Sequence, residues 1–96
     1  MLVIISYDIS TQTKEGRRRL RRVSKACLDY GQRVQYSVFE CNVDPEQFAR
    51  LKIRLLDVFK PEEDSLRFYF LGAHWQGRVE HHGVKPSIDM KGPLIV

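Results

Sequence analysis

Hydrophobic and polar positions divide most of the chain into six patterned segments, followed by a broken tail. Leu2-Val3-Ile4-Ile5-Ser6-Tyr7 is β-branched and apolar in both phases, and Asp8 closes it, so it predicts a strand. Leu2 and Ile4 fall on one side, Val3, Ile5 and Tyr7 on the other, and both sides need cover. Glu15 to Tyr30 repeats at helical spacing, with Leu20, Val23, Cys27 and Tyr30 in one stripe and Arg18, Arg21, Arg22 and Lys25 opposite. Arg17 and Arg19 flank the stripe, placed to project past the edge of a sheet. Gly31 follows where a left-handed cap often ends a helix.

From Gln32 to Val43 the chain alternates like a strand, but its parity flips. Val34, Tyr36 and Val38 share one phase, and Phe39, Cys41 and Val43 share the other. A flip demands a break near Ser37, so two short strands joined by a tight bend are expected. Asp44-Pro45-Glu46-Gln47 then combines an N-cap, a proline at the first helical position and a capping-box glutamine. Phe48, Leu51, Leu55, Val58 and Phe59 form the buried stripe of that helix, which Pro61 stops. Ile53 lies off the stripe and is a candidate contact for another chain. After the acidic turn Glu62-Glu63-Asp64, the segment Ser65 to Leu71 alternates cleanly, Leu66, Phe68 and Phe70 against Arg67, Tyr69 and Leu71.

This β-α-β-β-α-β order predicts an α+β ferredoxin-like sandwich, two helices on one face of a four-stranded antiparallel sheet. A single domain over 1–96 is expected, with a core of about 1–71 and a C-terminal extension over 72–96. Glycines at 72, 77, 83 and 92 and prolines at 86 and 93 interrupt the extension. Arg78-Val79-Glu80 and Leu94-Ile95-Val96 keep β character, which points to an additional strand on an edge of this sheet or a partner's.

With 96 residues and 43% hydrophobic content the core is modest. A domain of this size buries roughly 60–65% of its unfolded surface, so a second subunit is the natural cover for more. The 16 basic against 12 acidic residues leave a net charge of +4, and Arg17, Arg18, Arg19, Arg21, Arg22 and Lys25 fall within nine positions. Such clustering favours phosphate-rich partners over acidic proteins or membranes. Cys27 and Cys41 form no C-x-x-C and are expected as buried free thiols. Neither a signal peptide nor an apolar run near the ~18 residues of a membrane span occurs, so a cytoplasmic protein is expected.

Asp8 is a carboxylate held at the end of a strand, a few residues before a basic helix. That pairing points to metal-assisted chemistry, or to docking, on a nucleic-acid backbone. Two plainer readings stand beside it: a strand-ending Asp as a turn or cap residue, and the basic helix face as a solvated surface. His81 and His82 are adjacent on an extended segment, point to opposite faces and cannot chelate together; His74 adds no metal spacing. Trp75 either stacks on a base or buries loop surface.

Three blocks together resemble a known family. They are the Val3-Ile4-Ile5-Ser6-Tyr7-Asp8 opening, Gln32-Arg33-Val34-Gln35-Tyr36-Ser37-Val38-Phe39-Glu40, and Asp64-Ser65-Leu66-Arg67-Phe68-Tyr69. The family is the CRISPR-associated endonuclease-two family, the small partner of the CRISPR spacer integrase. The tail from Val79 to Ile95 is similar to the branch found with type I-C systems. The resemblance implies a homodimer with its sheets face to face and the Asp8 pair near the two-fold axis, where it holds Mg²⁺. It also implies a Mg²⁺-dependent endonuclease acting on RNA or DNA during acquisition of new spacers, as a bridge between integrase subunits. Asp8 is then the metal ligand and catalytic carboxylate, Tyr7 and Phe39 shape the cleft, and Arg17, Arg19 and Arg33 clamp phosphates, with Arg18, Arg21 and Arg22 alongside. The alternative is an architectural DNA-binding adaptor without catalytic activity.

Overall fold

β1, Leu2–Asp8, lies at the centre of the sheet. The computed structural model describes residues 1–71 and 79–84. After β1 come α1 (Lys14–Tyr30), β2 (Gln32–Gln35), β3 (Val38–Asn42), α2 (Pro45–Val58), β4 (Ser65–Leu71) and β5 (Val79–Gly83). Across the sheet the strands run β2-β3-β1-β4-β5, and each neighbouring pair is antiparallel. The first four strands and both helices realise the α+β arrangement expected from the sequence. The expected β character at Val79-Glu80 becomes β5, which adds itself to β4; Leu94 to Val96, His74 and Trp75 lie outside the described residues.

Strict alternation along β1 sorts its side chains: Val3, Ile5 and Tyr7 are buried, while Leu2, Ile4 and Ser6 are half-buried and Asp8 is exposed. Phe39 and Cys41 of β3 and Leu66 and Phe68 of β4 join the buried set. Against it pack Val23, Ala26 and Cys27 of α1 and Phe48, Leu51 and Leu55 of α2, so both helices cover the same side. Phe48 meets the edge of Phe68 with ring centroids 5.2 Å apart, a favoured aromatic geometry. The other side of the sheet carries no layer built from the described residues.

Local chemistry explains the element boundaries. Asp44 accepts from the Gln47 backbone N–H at 2.7 Å, and the Gln47 side chain accepts from the Asp44 N–H at 2.9 Å, closing the expected capping box. Tyr36 and Ser37 make the tight bend between β2 and β3, with the pairing shifting between Arg33 and Gln35. Gly31 corrects the expectation of a left-handed cap. Its φ is −161°, extended backbone, and its N–H donates to the Cys27 carbonyl at 2.9 Å. What demands glycine there is space, because a Cβ would run into the Glu40 carbonyl and Cys41 Sγ.

Cys27 and Cys41 are free and buried, as expected. Burial pushes the Cys27 thiol up to about 12 and the Cys41 thiol to about 11, so both stay protonated and unreactive near neutral pH.

Candidate functional site

The side of the sheet away from the helices is where Asp8 points. Antiparallel register sets Asp8 opposite Ser65 and Ser6 opposite Arg67, with Ile4 opposite Tyr69. On the other flank Ser6 faces Val38, and the Tyr7 N–H donates to the Ser37 carbonyl at 3.1 Å, which draws the β2–β3 bend against the end of β1. The result is a shallow depression lined by Ser6, Tyr7, Asp8, Ser37, Ser65, Arg67 and Tyr69. Ser65, Arg67 and Tyr69 were not singled out from the sequence as site residues. Their shared outward phase along β4 was visible there; their place beside Asp8 depends on strand register.

Tyr7 is among the lining residues and Phe39 is not, although the ring of each turns inward. Each shares the inward phase of its strand: Tyr7 is 4% and Phe39 0% exposed, and their rings stack at 6.0 Å beneath the helices. The period-two pleat turns both rings to the side of the sheet opposite Asp8. Tyr7 Oη shares a 2.7 Å hydrogen bond with Ser24 Oγ on α1. Burial, partly offset by that bond, holds the phenol above its ordinary range, so it is protonated near neutral pH. Arg33 lies on the same side, its guanidinium carbon 5.1 Å from the Phe39 ring centroid.

The arginines separate into distinct groups. Arg18, Arg21 and Arg22 line a groove between α1 and α2, together with Lys25, Arg54 and Asp57. This groove lies on the helical layer, on the far side of the sheet from Asp8. Asp29 takes part of the positive charge, pairing with Lys25 and, at 2.8 Å, with Arg54. Arg17 is exposed and donates to the Thr11 carbonyl at 3.0 Å.

Arg19 stands apart. Its Nε and Nη2 donate to Asp64 at 2.8 and 3.2 Å, and its side chain is 13% exposed against 0% for Asp64. Asp64, expected as part of an acidic turn, is instead a buried carboxylate that also accepts from the backbone N–H groups of Ser10 and Lys60. Two of Arg19's donors are engaged inside the protein by Asp64.

His81 and His82 fall on opposite faces, as the extended chain requires. His82 lies over Phe59 and Phe68 and bonds Glu80 at 2.6 Å. His81 pairs across the strand with Arg67 on the uncovered side, and its buried Nε2 finds no hydrogen-bond partner in the structure described.

Among the described residues no three His, Cys, Asp or Glu side chains gather as a metal-ligand set. Among the described residues that line the depression there is one carboxylate, Asp8, with the Ser6, Ser37 and Ser65 hydroxyls nearby. Mg²⁺ is commonly held by one or two carboxylates plus substrate phosphate, so Asp8 fits as a member of such a donor set. No helix among the described residues is long and apolar enough to cross a membrane.

Comparison with known proteins bears on the family and the fold. Residues 1–79 match the family model described as CRISPR associated protein Cas2. A protein of Nitratidesulfovibrio vulgaris named CRISPR-associated endoribonuclease Cas2 is 64% identical over 96 residues, covering 100% of this chain and 94% of that one. A protein of Halalkalibacterium halodurans named CRISPR-associated endonuclease Cas2 is 55% identical over 95 residues, covering 99% of each. The crystal structure of Streptococcus pyogenes Cas2 at pH 6.5 superimposes with a TM-score of 0.70 at 55% identity, over 83% of this chain and 96% of that one. The chain belongs to the CRISPR associated protein Cas2 family.

Proposed function

We propose that the protein is a Mg²⁺-dependent nuclease of CRISPR adaptation, working as a homodimer joined through its uncovered sheet faces with the two Asp8 carboxylates at the two-fold axis. One observation carries this reading: Asp8 is exposed on a sheet face where Leu2, Ile4 and Tyr69 are left half-buried. A second copy laid on that face removes apolar area from water and doubles the carboxylate. It also offers a partner to the buried Nε2 of His81 on the same face.

Two Asp8 side chains and a substrate phosphate are the kind of donor set that suits Mg²⁺. When bound, the ion supplies Lewis acidity to a phosphodiester and acidity to a coordinated water. The chain's own groups do the rest. Asp8 would hold the ion, the Ser6, Ser37 and Ser65 hydroxyls would hold water or phosphate oxygens, and Arg67 adds positive charge to the depression. One relative carries the name endoribonuclease and another endonuclease, which supports a nucleic-acid substrate without choosing between RNA and DNA. Within a cytoplasmic CRISPR system the dimer bridges subunits of the spacer integrase.

The test is cleavage of labelled single- and double-stranded RNA and DNA with Mg²⁺, comparing wild type with Asp8→Asn and following dimerisation of both. Loss of cleavage with the dimer intact is the expected result; equal cleavage by both proteins contradicts it.

A second reading, an architectural adaptor, draws on a different observation. The arginine groove and Asp8 lie on opposite sides of the sheet, so a backbone lying along the helices does not reach Asp8 of the same chain. On this reading neither protein cleaves, and Asp8→Asn keeps both DNA binding and assembly.

A further inference from the structure

We infer that Arg19 and Asp64 form a positioning pair that fixes the backbone on both sides of Asp8, an inference that rests on the nuclease reading above. Asp64 is the residue before Ser65, and Ser65 is the cross-strand partner of Asp8. Its side chain is fully buried and accepts four hydrogen bonds: Arg19 Nε at 2.8 Å, Arg19 Nη2 at 3.2 Å, Lys60 N at 2.8 Å and Ser10 N at 3.0 Å. Ser10 lies two residues beyond Asp8. The same carboxylate thus ties down the chain leaving β1 and the strand lying next to it.

Its backbone extends the junction. The Asp64 N–H donates to the Lys60 carbonyl at 2.8 Å, and its carbonyl accepts from Val84 N at 3.1 Å. Gly83 has a φ of 115° and no room for a Cβ against the Asp64 carbonyl, so the end of β5 is seated directly on this residue. One side chain and its peptide groups therefore join the exit of β1, α1, the α2–β4 turn and the end of β5.

A buried carboxylate persists when its oxygens are satisfied, and here Arg19 brings both the charge and two of the four bonds. Strand ends fray when nothing holds them, and a ligand set works when its members are kept within about 0.5 Å of the productive geometry. Asp8 is the last residue of β1. The Arg19–Asp64 pair closes that end. Arg19 accordingly acts through the position of Asp8, without touching a phosphate.

The experiment uses the full chain, with wild type, Asp64→Asn, Arg19→Lys and the double variant. Steady-state cleavage of labelled RNA and DNA with Mg²⁺ across substrate concentrations is measured beside residue-resolved amide hydrogen exchange. The expected result is a fall in kcat of about 10–100-fold, the range typical of outer-shell partners, with KM unchanged and faster exchange at the Ser10 amide. The double variant should be no worse than the weaker single one, as for two residues acting as a unit.

If Asp64→Asn fails to fold, Arg19→Lys, which keeps the charge and loses the fork, carries the same test. A raised KM with unchanged kcat in Arg19→Lys means direct phosphate contact and overturns the inference. So does faster Ser10 exchange with unaltered cleavage. If wild type itself cleaves nothing, the nuclease reading fails separately. Ser10 exchange then decides the pair: acceleration in both variants upholds its hold on the chain beside Asp8, and unchanged protection overturns it.

Discussion

Tyr7 and Asp8 are consecutive in β1 and serve opposite faces of the sheet, Tyr7 Oη lying 2.7 Å from Ser24 Oγ on α1 while Asp8 is exposed on the uncovered side. The pleat divides the pair into one residue that packs and one that is exposed. Tyr7→Phe should therefore cost about 1 kcal/mol of stability through the lost hydrogen bond, in urea unfolding, and leave cleavage at the wild-type rate. A loss of cleavage with unchanged stability would return Tyr7 to the reacting set.

The Arg19–Asp64 pair gives stability a defined pH window. Burial alone would raise the Asp64 carboxyl, but the hydrogen bond from Arg19, then those from the Ser10 and Lys60 N–H groups, outweigh it and hold the group below its ordinary range. A carboxyl depressed in the folded state binds protons more readily when unfolded. Its stabilisation is full above the unfolded value of about 3.9 and is lost as pH falls through the depressed folded value. Unfolding titrations of wild type and Asp64→Asn from neutral pH downward should show a stability difference that shrinks in this acid range. At neutral pH, Asp64→Ala should cost about 3–5 kcal/mol, since it leaves Arg19 half-buried without its partner. Parallel acid limbs for wild type and Asp64→Asn would contradict the assignment.

Much of this was legible from the chain. The inward phase of Val3, Ile5 and Tyr7, the parity flip at Ser37 and the Asp44–Gln47 capping box all express local periodicity or local hydrogen bonding. The structure keeps each of them. Even the turning away of Tyr7 and Phe39 from Asp8 was readable, since each shares the phase of its strand's core residues.

What was hidden depends on distance along the chain. Asp64 stands third in an acidic run, and nothing local marks it as buried, because its partner Arg19 is 45 positions away. Ser65 and Arg67 reach the Asp8 depression through the β1–β4 register, which alternation leaves open by any even number of residues. Gly31 likewise answers to β3 folding back beside it and not to its own helix end.

Arg18, Arg21 and Arg22 line a groove with Arg54, and phosphate contact there has a thermodynamic mark. For duplex DNA each contact makes log K fall by about 0.9 per unit log salt, so Arg21→Ala should flatten the salt dependence by about that amount across all sequences alike. A wild-type affinity indifferent to salt would make the groove a solvated surface.

Ile4 sits half-buried on the uncovered face beside Tyr69, whereas Ile53 on α2 is 69% exposed. Ile4→Asp should dissociate the proposed dimer in sedimentation analysis, with the monomer still folded by circular dichroism. Ile53→Asp should leave the dimer intact. The reverse pattern would move the interface to the helical side.

The sharing of one site by two Asp8 carboxylates is tested most directly by a mixed dimer, wild-type chain joined to Asp8→Asn and purified by two different tags. If both carboxylates serve one ion and one phosphate, the mixed dimer should be as inactive as the doubly substituted one while binding nucleic acid normally. Half of the wild-type cleavage rate would contradict a shared site and give each chain a separate one.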